Sequence, residues 1–155
     1  MEGTTSSRRI GGLLTMRADE TTLGKSGWLM LAGRIVLTFM FWANGFAKLL
    51  DFNSGIAEMN HFGLQPAVPF TIASIIVLLG GSALVISGRG LVIGAGVLAV
   101  FTLMTIPLAH PFWRMTGLAA FQEKEIVSEH ISYVGGLVCI AIAHLRGAAT
   151  KRIFA

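Results

Sequence analysis

Four apolar runs constrain this chain more than any other feature of it. They cover residues 28–49, 67–87, 91–109 and 128–145. Each is roughly 18–22 residues long, close to the ~20 that a helix needs to cross about 30 Å of hydrocarbon. The only formal charges within them are Arg34 and, at the run ends, Lys48 and Glu129. Backbone polar groups in lipid must be satisfied within the segment, so runs of this length read as helices and not strands. The expected fold is an all-α membrane protein, a four-transmembrane-helix bundle. Composition agrees. Charged residues make up 13% of the chain and hydrophobic ones 54%, whereas a soluble domain carries about 25% charge.

The breaks between the runs are marked by residue type. Asp51, Asn53, Ser54 and Gly55 end the first run. Pro66 opens the second at a first-turn position that tolerates proline. Ser87-Gly88-Arg89-Gly90 is a tight turn between the second and third. His110-Pro111 ends the third, because proline disfavours helix in the residue before it. The longest connection is then 112–127, whose apolar first half suggests an interfacial segment.

Basic residues set the expected orientation. Arg8, Arg9, Arg17, Lys25, Arg89, Arg146, Lys151 and Arg152 fall on one side, and Lys48, Arg114 and Lys124 on the other. Lys and Arg accumulate on the cytoplasmic side, so both termini are expected there. This gives a polar cytoplasmic arm at 1–27, a transmembrane domain at 28–145 and a basic cytoplasmic tail at 146–155. The location expected is a bacterial inner membrane, N-in and C-in. The arm does not read as a cleaved signal peptide, since the apolar run after it exceeds an h-region of ~7–15 residues. Its piece 10–16 is a candidate surface-lying segment.

Several classes are excluded by what is missing. A single cysteine, Cys139, forms no internal disulfide and no Cys-based metal site. No stretch interleaves basic and aromatic residues, so nucleic acid is not an expected partner. No HxxxH or ExxH pair lies on one run, so no metal site is expected. Gly80, Gly81, Gly94, Gly96, Gly135 and Gly136 sit within the runs, and small residues there let helices approach closely in lipid.

Two groups of residues are candidates for chemistry. In the first run Arg34, Asn44 and Lys48 share one helical face. Ionisable groups in a span face the bundle interior or snorkel to the surface, and Asn44 is expected to hydrogen-bond to another helix. By the assigned topology His110, Trp113, Glu129, His130 and Tyr133 gather at the outer face, with Asp51, Glu58, Glu123 and Glu125 in the same layer. Imidazoles, carboxylates and flat rings suit a quinone headgroup. Trp, Tyr and His also gather at any membrane interface, so the plain interfacial reading stands beside it.

An ordered set of elements supports a family resemblance. An Arg opens the first span, followed by Gly45-Phe46-Ala47-Lys48-Leu49 and then Phe62-Gly63-Leu64-Gln65-Pro66. A Gly-Gly pair in the second span, the Gly88-Arg89-Gly90 turn, His110 and Gly135-Gly136-Leu137 complete the set. In this order they resemble the DoxX family of small bacterial four-helix membrane proteins, over about residues 33–145. Where many members carry an acidic residue in the second span, this chain has Val77-Leu78-Leu79. Where many have Lys-Asn near the start of the fourth, it has Glu129-His130. Some members look like the small membrane subunit of a thiosulfate:quinone oxidoreductase, and others sit in oxidative-stress complexes. The resemblance therefore implies a membrane subunit of a quinone-linked redox assembly, with the bilayer and other membrane-protein subunits as partners and a quinone as the implied cofactor. A non-catalytic accessory subunit and a small transporter remain as alternatives.

Overall fold

The structure, a computed structural model, describes residues 27–153, with side chains through residue 149. The polar arm, except for Gly27, lies outside the described residues, as do its piece 10–16 and the end of the basic tail. The chain divides into two units, Met1–Arg34 and Ile35–Ala155. Of the first unit the described residues are 27–34, all helical.

The described residues form six α-helices and no strand. These are α1 (Gly27–Leu37), α2 (Phe39–Leu50), α3 (Phe52–His61), α4 (Ala67–Ser87), α5 (Leu91–Ala109) and α6 (Gly117–Ile153). A 3₁₀ turn, Phe112–Arg114, joins the last two. Ala67–Ser87, Leu91–Arg114 and Gly117–Ala149 are each long and apolar enough to cross a membrane. With α1 and α2 counted as one span broken by 54°, the number is four. The protein is an all-α membrane protein.

The break in the first span falls at Thr38, which is fully buried. Interrupting the helix there frees the Ile35 carbonyl from its usual partner four residues on. Thr38 Oγ1 and Trp42 Nε1 both donate to it, each at 3.4 Å. Local hydroxyl-to-backbone bonds of this kind bend helices.

The segments 51–66 and 112–127, read from sequence as connections, are largely helical. Asp51 caps α3 by accepting from the Ser54 amide at 3.0 Å, the standard way of satisfying an orphan donor at a helix start. Phe52, Ile56 and Met59 recur at helical spacing, and α3 packs on α4. A Cβ on Gly55 would lie 2.8 Å from Thr71 Cγ2, so glycine sets that approach. The last helix likewise begins at Gly117, eleven residues before the apolar run. At 1.5 Å per residue its 37 residues span about 55 Å, well beyond the ~30 Å hydrocarbon layer.

Within the second unit, α4 packs against α2, α3 and α5, and α5 packs against α6. The last helix returns to the first span where Gly136 meets Leu37 and Tyr133 stands edge-on to Phe41 at 6.2 Å. The core is Phe41, Leu78, Val85, Ala95, Leu98, Ala99 and Leu137. Two helix pairs approach through glycine. A Cβ on Gly45 of α2 would lie 2.7 Å from Leu79 of α4, and one on Gly94 of α5 would lie 2.7 Å from the Gly81 carbonyl of α4. The α4–α5 turn uses Gly88 and Gly90 at φ +75° and +88°, where glycine has no steric penalty.

Candidate functional site

A cavity of about 560 Å³ opens between α2, α3, α4, α5 and α6, at the end of the bundle that carries α3 and His110. Its size lies within the ~300–1,000 Å³ range of small-molecule sites. Most of its wall is apolar, including Met40, Phe41, Phe62, Phe70, Phe101 and Met104. Polar groups enter at a few points only: Asn44, Lys48, Glu58, Ser74, Thr102, Thr105, His110, His130 and Tyr133.

The histidines form the densest polar group. His110, at the C-cap of α5, pairs through Nδ1 with Glu123 Oε2 at 2.7 Å. The helical first turns of α6 place Glu123 there, so this pairing depends on 117–127 being helical. His130, two turns further along α6 than Glu123, holds its Nδ1 at 2.8 Å from the Ile126 carbonyl. A carbonyl only accepts, so this nitrogen carries the proton and donates. In the neutral ring this leaves Nε2 as the acceptor. The two rings stand edge to face with centroids 4.9 Å apart, and Tyr133 is 6.3 Å beyond His130.

A second pair lies across the cavity. Lys48 of α2 donates to Glu58 Oε2 of α3. The lysine side chain is 12% exposed and the glutamate 41%. The capped α3 helix brings the carboxylate into reach, and sequence spacing alone gave no sign of it. Asn44 also lines the cavity, but its amide donates to the Met40 carbonyl of its own helix at 2.8 Å. The expected bond to another helix is not made by this group, because its side chain faces the cavity and not a neighbouring helix.

The other residues singled out from sequence lie elsewhere. Trp113, on the 3₁₀ turn, is 53% exposed and edge-on to Phe112. Glu129 is exposed on α6, and neither residue lines the cavity. Arg34 belongs to the first unit and is part-buried. Of the sequence candidates, the cavity gathers His110, His130, Tyr133, Asn44 and Lys48. Among the described residues no group of three or more His, Cys, Asp or Glu side chains is placed to hold a metal ion. The donor set fits a flat, mostly apolar ring carrying one or two hydroxyl or carbonyl oxygens.

The helices and the one-sided cavity define a class: a small multi-pass helical membrane protein with a ligand-sized space inside its bundle. The sequence model of the DoxX family matches residues 29–111, over half of the chain, and the chain belongs to that family. A similar curated protein is the inner membrane protein YphA of Escherichia coli (strain K12). It is 25% identical over 114 residues, covering 74% of this chain and 81% of YphA. No solved structure matches. The family match ends one residue after His110, so Glu123, His130 and Tyr133 lie beyond it.

Proposed function

We propose that the protein is a multi-pass inner-membrane protein that binds a quinol-type ring in this cavity, as the membrane subunit of a quinone-linked redox assembly. The observation that carries the reading is the pair of cavity-lining histidines, each engaged through Nδ1. His130 presents Nε2 as an acceptor, which suits a ligand hydroxyl. His110 is backed by the Glu123 carboxylate, which orients the ring and stabilises it when a proton arrives at Nε2. A quinol held there would give up two electrons, to an oxidant in a partner subunit, and two protons. The His110–Glu123 pair would take one of those protons, His130 Nε2 would accept the other from the hydroxyl it holds, and the apolar wall would keep water from the ring.

Two further features support the placement. The excess of basic residues on one side favours both termini in the cytoplasm, which puts the cavity in the outer half of the membrane. The last helix has 11% of its apolar window buried, against 33% for α4 and α5. That leaves a long face for a neighbouring subunit and supports membership of an assembly.

The test is binding of a tail-free trimethylbenzoquinol to the purified protein in lipid nanodiscs. His110→Ala and His130→Ala should each weaken it about tenfold, the scale of one lost hydrogen bond in a dry site. Wild-type affinity in both variants would remove the histidines from the site. No binding by the wild-type protein would leave the accessory-subunit reading in its place.

A further inference from the structure

Beside the cavity lies a second recess of about 340 Å³. Its wall is wholly apolar: Val77 from α4, and Gly96, Val97, Val100, Phe101 and Met104 from α5. Val77, Phe101 and Met104 line the main cavity as well, so the two spaces adjoin at these three side chains. The recess faces outward. Val100 is 57% and Met104 61% exposed, on a helix whose only apolar surroundings beyond the bundle are lipid. From Gly96 to Met104 the groove runs about 12 Å along α5.

Gly96 needs an explanation that packing does not supply. Glycine weakens a helix interior, and at Gly81 and Gly94 a close helix crossing accounts for it. At Gly96 a Cβ would meet nothing within 4 Å. Gly80 and Gly135 are equally open, and of these three Gly96 is the one that lines the recess, where its lack of a side chain adds depth.

We infer that the cavity's ligand is lipid-borne and tailed: the ring enters sideways between α4 and α5, and its hydrocarbon tail lies in the groove over Gly96 and Val100. This rests on the ring-binding reading above and adds a route and a ligand class to it. The α4–α5 pair is closed by the Gly81–Gly94 crossing at one end, and both helices line the cavity at the other. Val77 of α4 and Phe101 and Met104 of α5 line both spaces, so a membrane-dissolved ligand in the recess reaches the cavity at these side chains. Lipid chains are as apolar as the groove, so apolarity alone does not favour a tail over an acyl chain. The tail's advantage is tethering, since the bound ring holds it at a high effective concentration beside the groove.

Two probes separate the two claims: trimethylbenzoquinol without a tail, and the same ring bearing a decyl chain. Both are titrated in nanodiscs, with ligand concentration expressed per lipid to remove partitioning. Gly96→Leu fills the groove where no neighbour objects, and Val100→Trp fills it from an exposed position. Each should weaken the decyl probe about fivefold and leave the tail-free probe unchanged. Equal decyl affinity in wild type and both variants would overturn the tail groove and leave it to membrane lipid, with ring binding intact. Loss of both probes in parallel would also overturn it, since the substitutions would then act on the ring site. Failure of the tail-free probe to bind the wild-type protein would overturn the ring site itself, and the tail groove with it.

Discussion

The α4–α5 pair is built in two ways along its length. Near the Gly88–Gly90 turn the backbones meet, and a Cβ on Gly94 would lie 2.7 Å from both the Gly81 carbonyl and Leu84 Cβ. Val85, Leu91 and Leu98 close that end with no exposed surface. Towards His110 the same helices carry Ser74, Thr102 and Thr105, and every one of these hydroxyls donates back to a carbonyl of its own helix, at 2.8–2.9 Å. None of the three bridges to the other helix. Close packing is a main force between helices in lipid. Stability therefore concentrates at the glycine end, while the hydroxyl end is free to stay open. One half holds the bundle together, and the other half holds a space.

The largest expected effect tests the closed half. Gly94→Ala places a methyl against backbone, which cannot move aside as the end of a side chain can. It should cost about 2–3 kcal/mol of unfolding free energy in mixed micelles, despite the gain in helix propensity. Gly80→Ala is the control, one residue from the crossing, where a Cβ meets nothing within 4 Å. It should gain up to ~1 kcal/mol. If the two variants behave alike, the division between the halves is broken.

The open half is tested by filling it. Ser74 lines the cavity, and its hydroxyl is satisfied locally by the Phe70 carbonyl. Ser74→Leu therefore strands no partner across the helix interface, and the added carbons enter existing space. Unfolding free energy should change by less than about 1 kcal/mol, whereas ring affinity should fall roughly tenfold. A large loss of stability would mean that the space is already filled in the folded protein.

The same division decides what the sequence shows. Apolar length marks the spans, because the hydrocarbon layer imposes it on every spanning helix. The glycines are visible as small residues, although sequence does not separate Gly81 and Gly94, which touch a neighbour, from Gly80 and Gly96, which do not. That distinction depends on helix rotation. The cavity is less legible. His110 and His130 are recognisable as a histidine pair near two span ends, yet Glu123 joins them only because 117–127 is helical. Glu58 likewise reaches Lys48 only because α3 forms. Both segments are short or mixed in composition, and without a long apolar run their helical spacing competes with turn residues such as Asn53, Ser54 and Gly117. Asn44 illustrates a different limit: its position on the polar face is readable, but a local carbonyl takes its amide.

The smallest effect concerns Lys48 and Glu58, which tie α2 to α3 at the cavity's edge. The pair is unequally buried, with the lysine 12% exposed and the glutamate 41%. Solvent at the glutamate screens the attraction, so a double-mutant cycle of Lys48→Met and Glu58→Gln should give a coupling of only about 0.5–1 kcal/mol. The single variants should not be equal. Glu58→Gln leaves a mostly buried ammonium without its carboxylate, whereas Lys48→Met leaves a carboxylate that water already reaches. Glu58→Gln should therefore be the costlier of the two. The reverse order would place Lys48 in contact with water or lipid headgroups and detach the pair from the cavity. A coupling as large as the cost of Gly94→Ala would go further, because the open half would then have a structural clamp of its own.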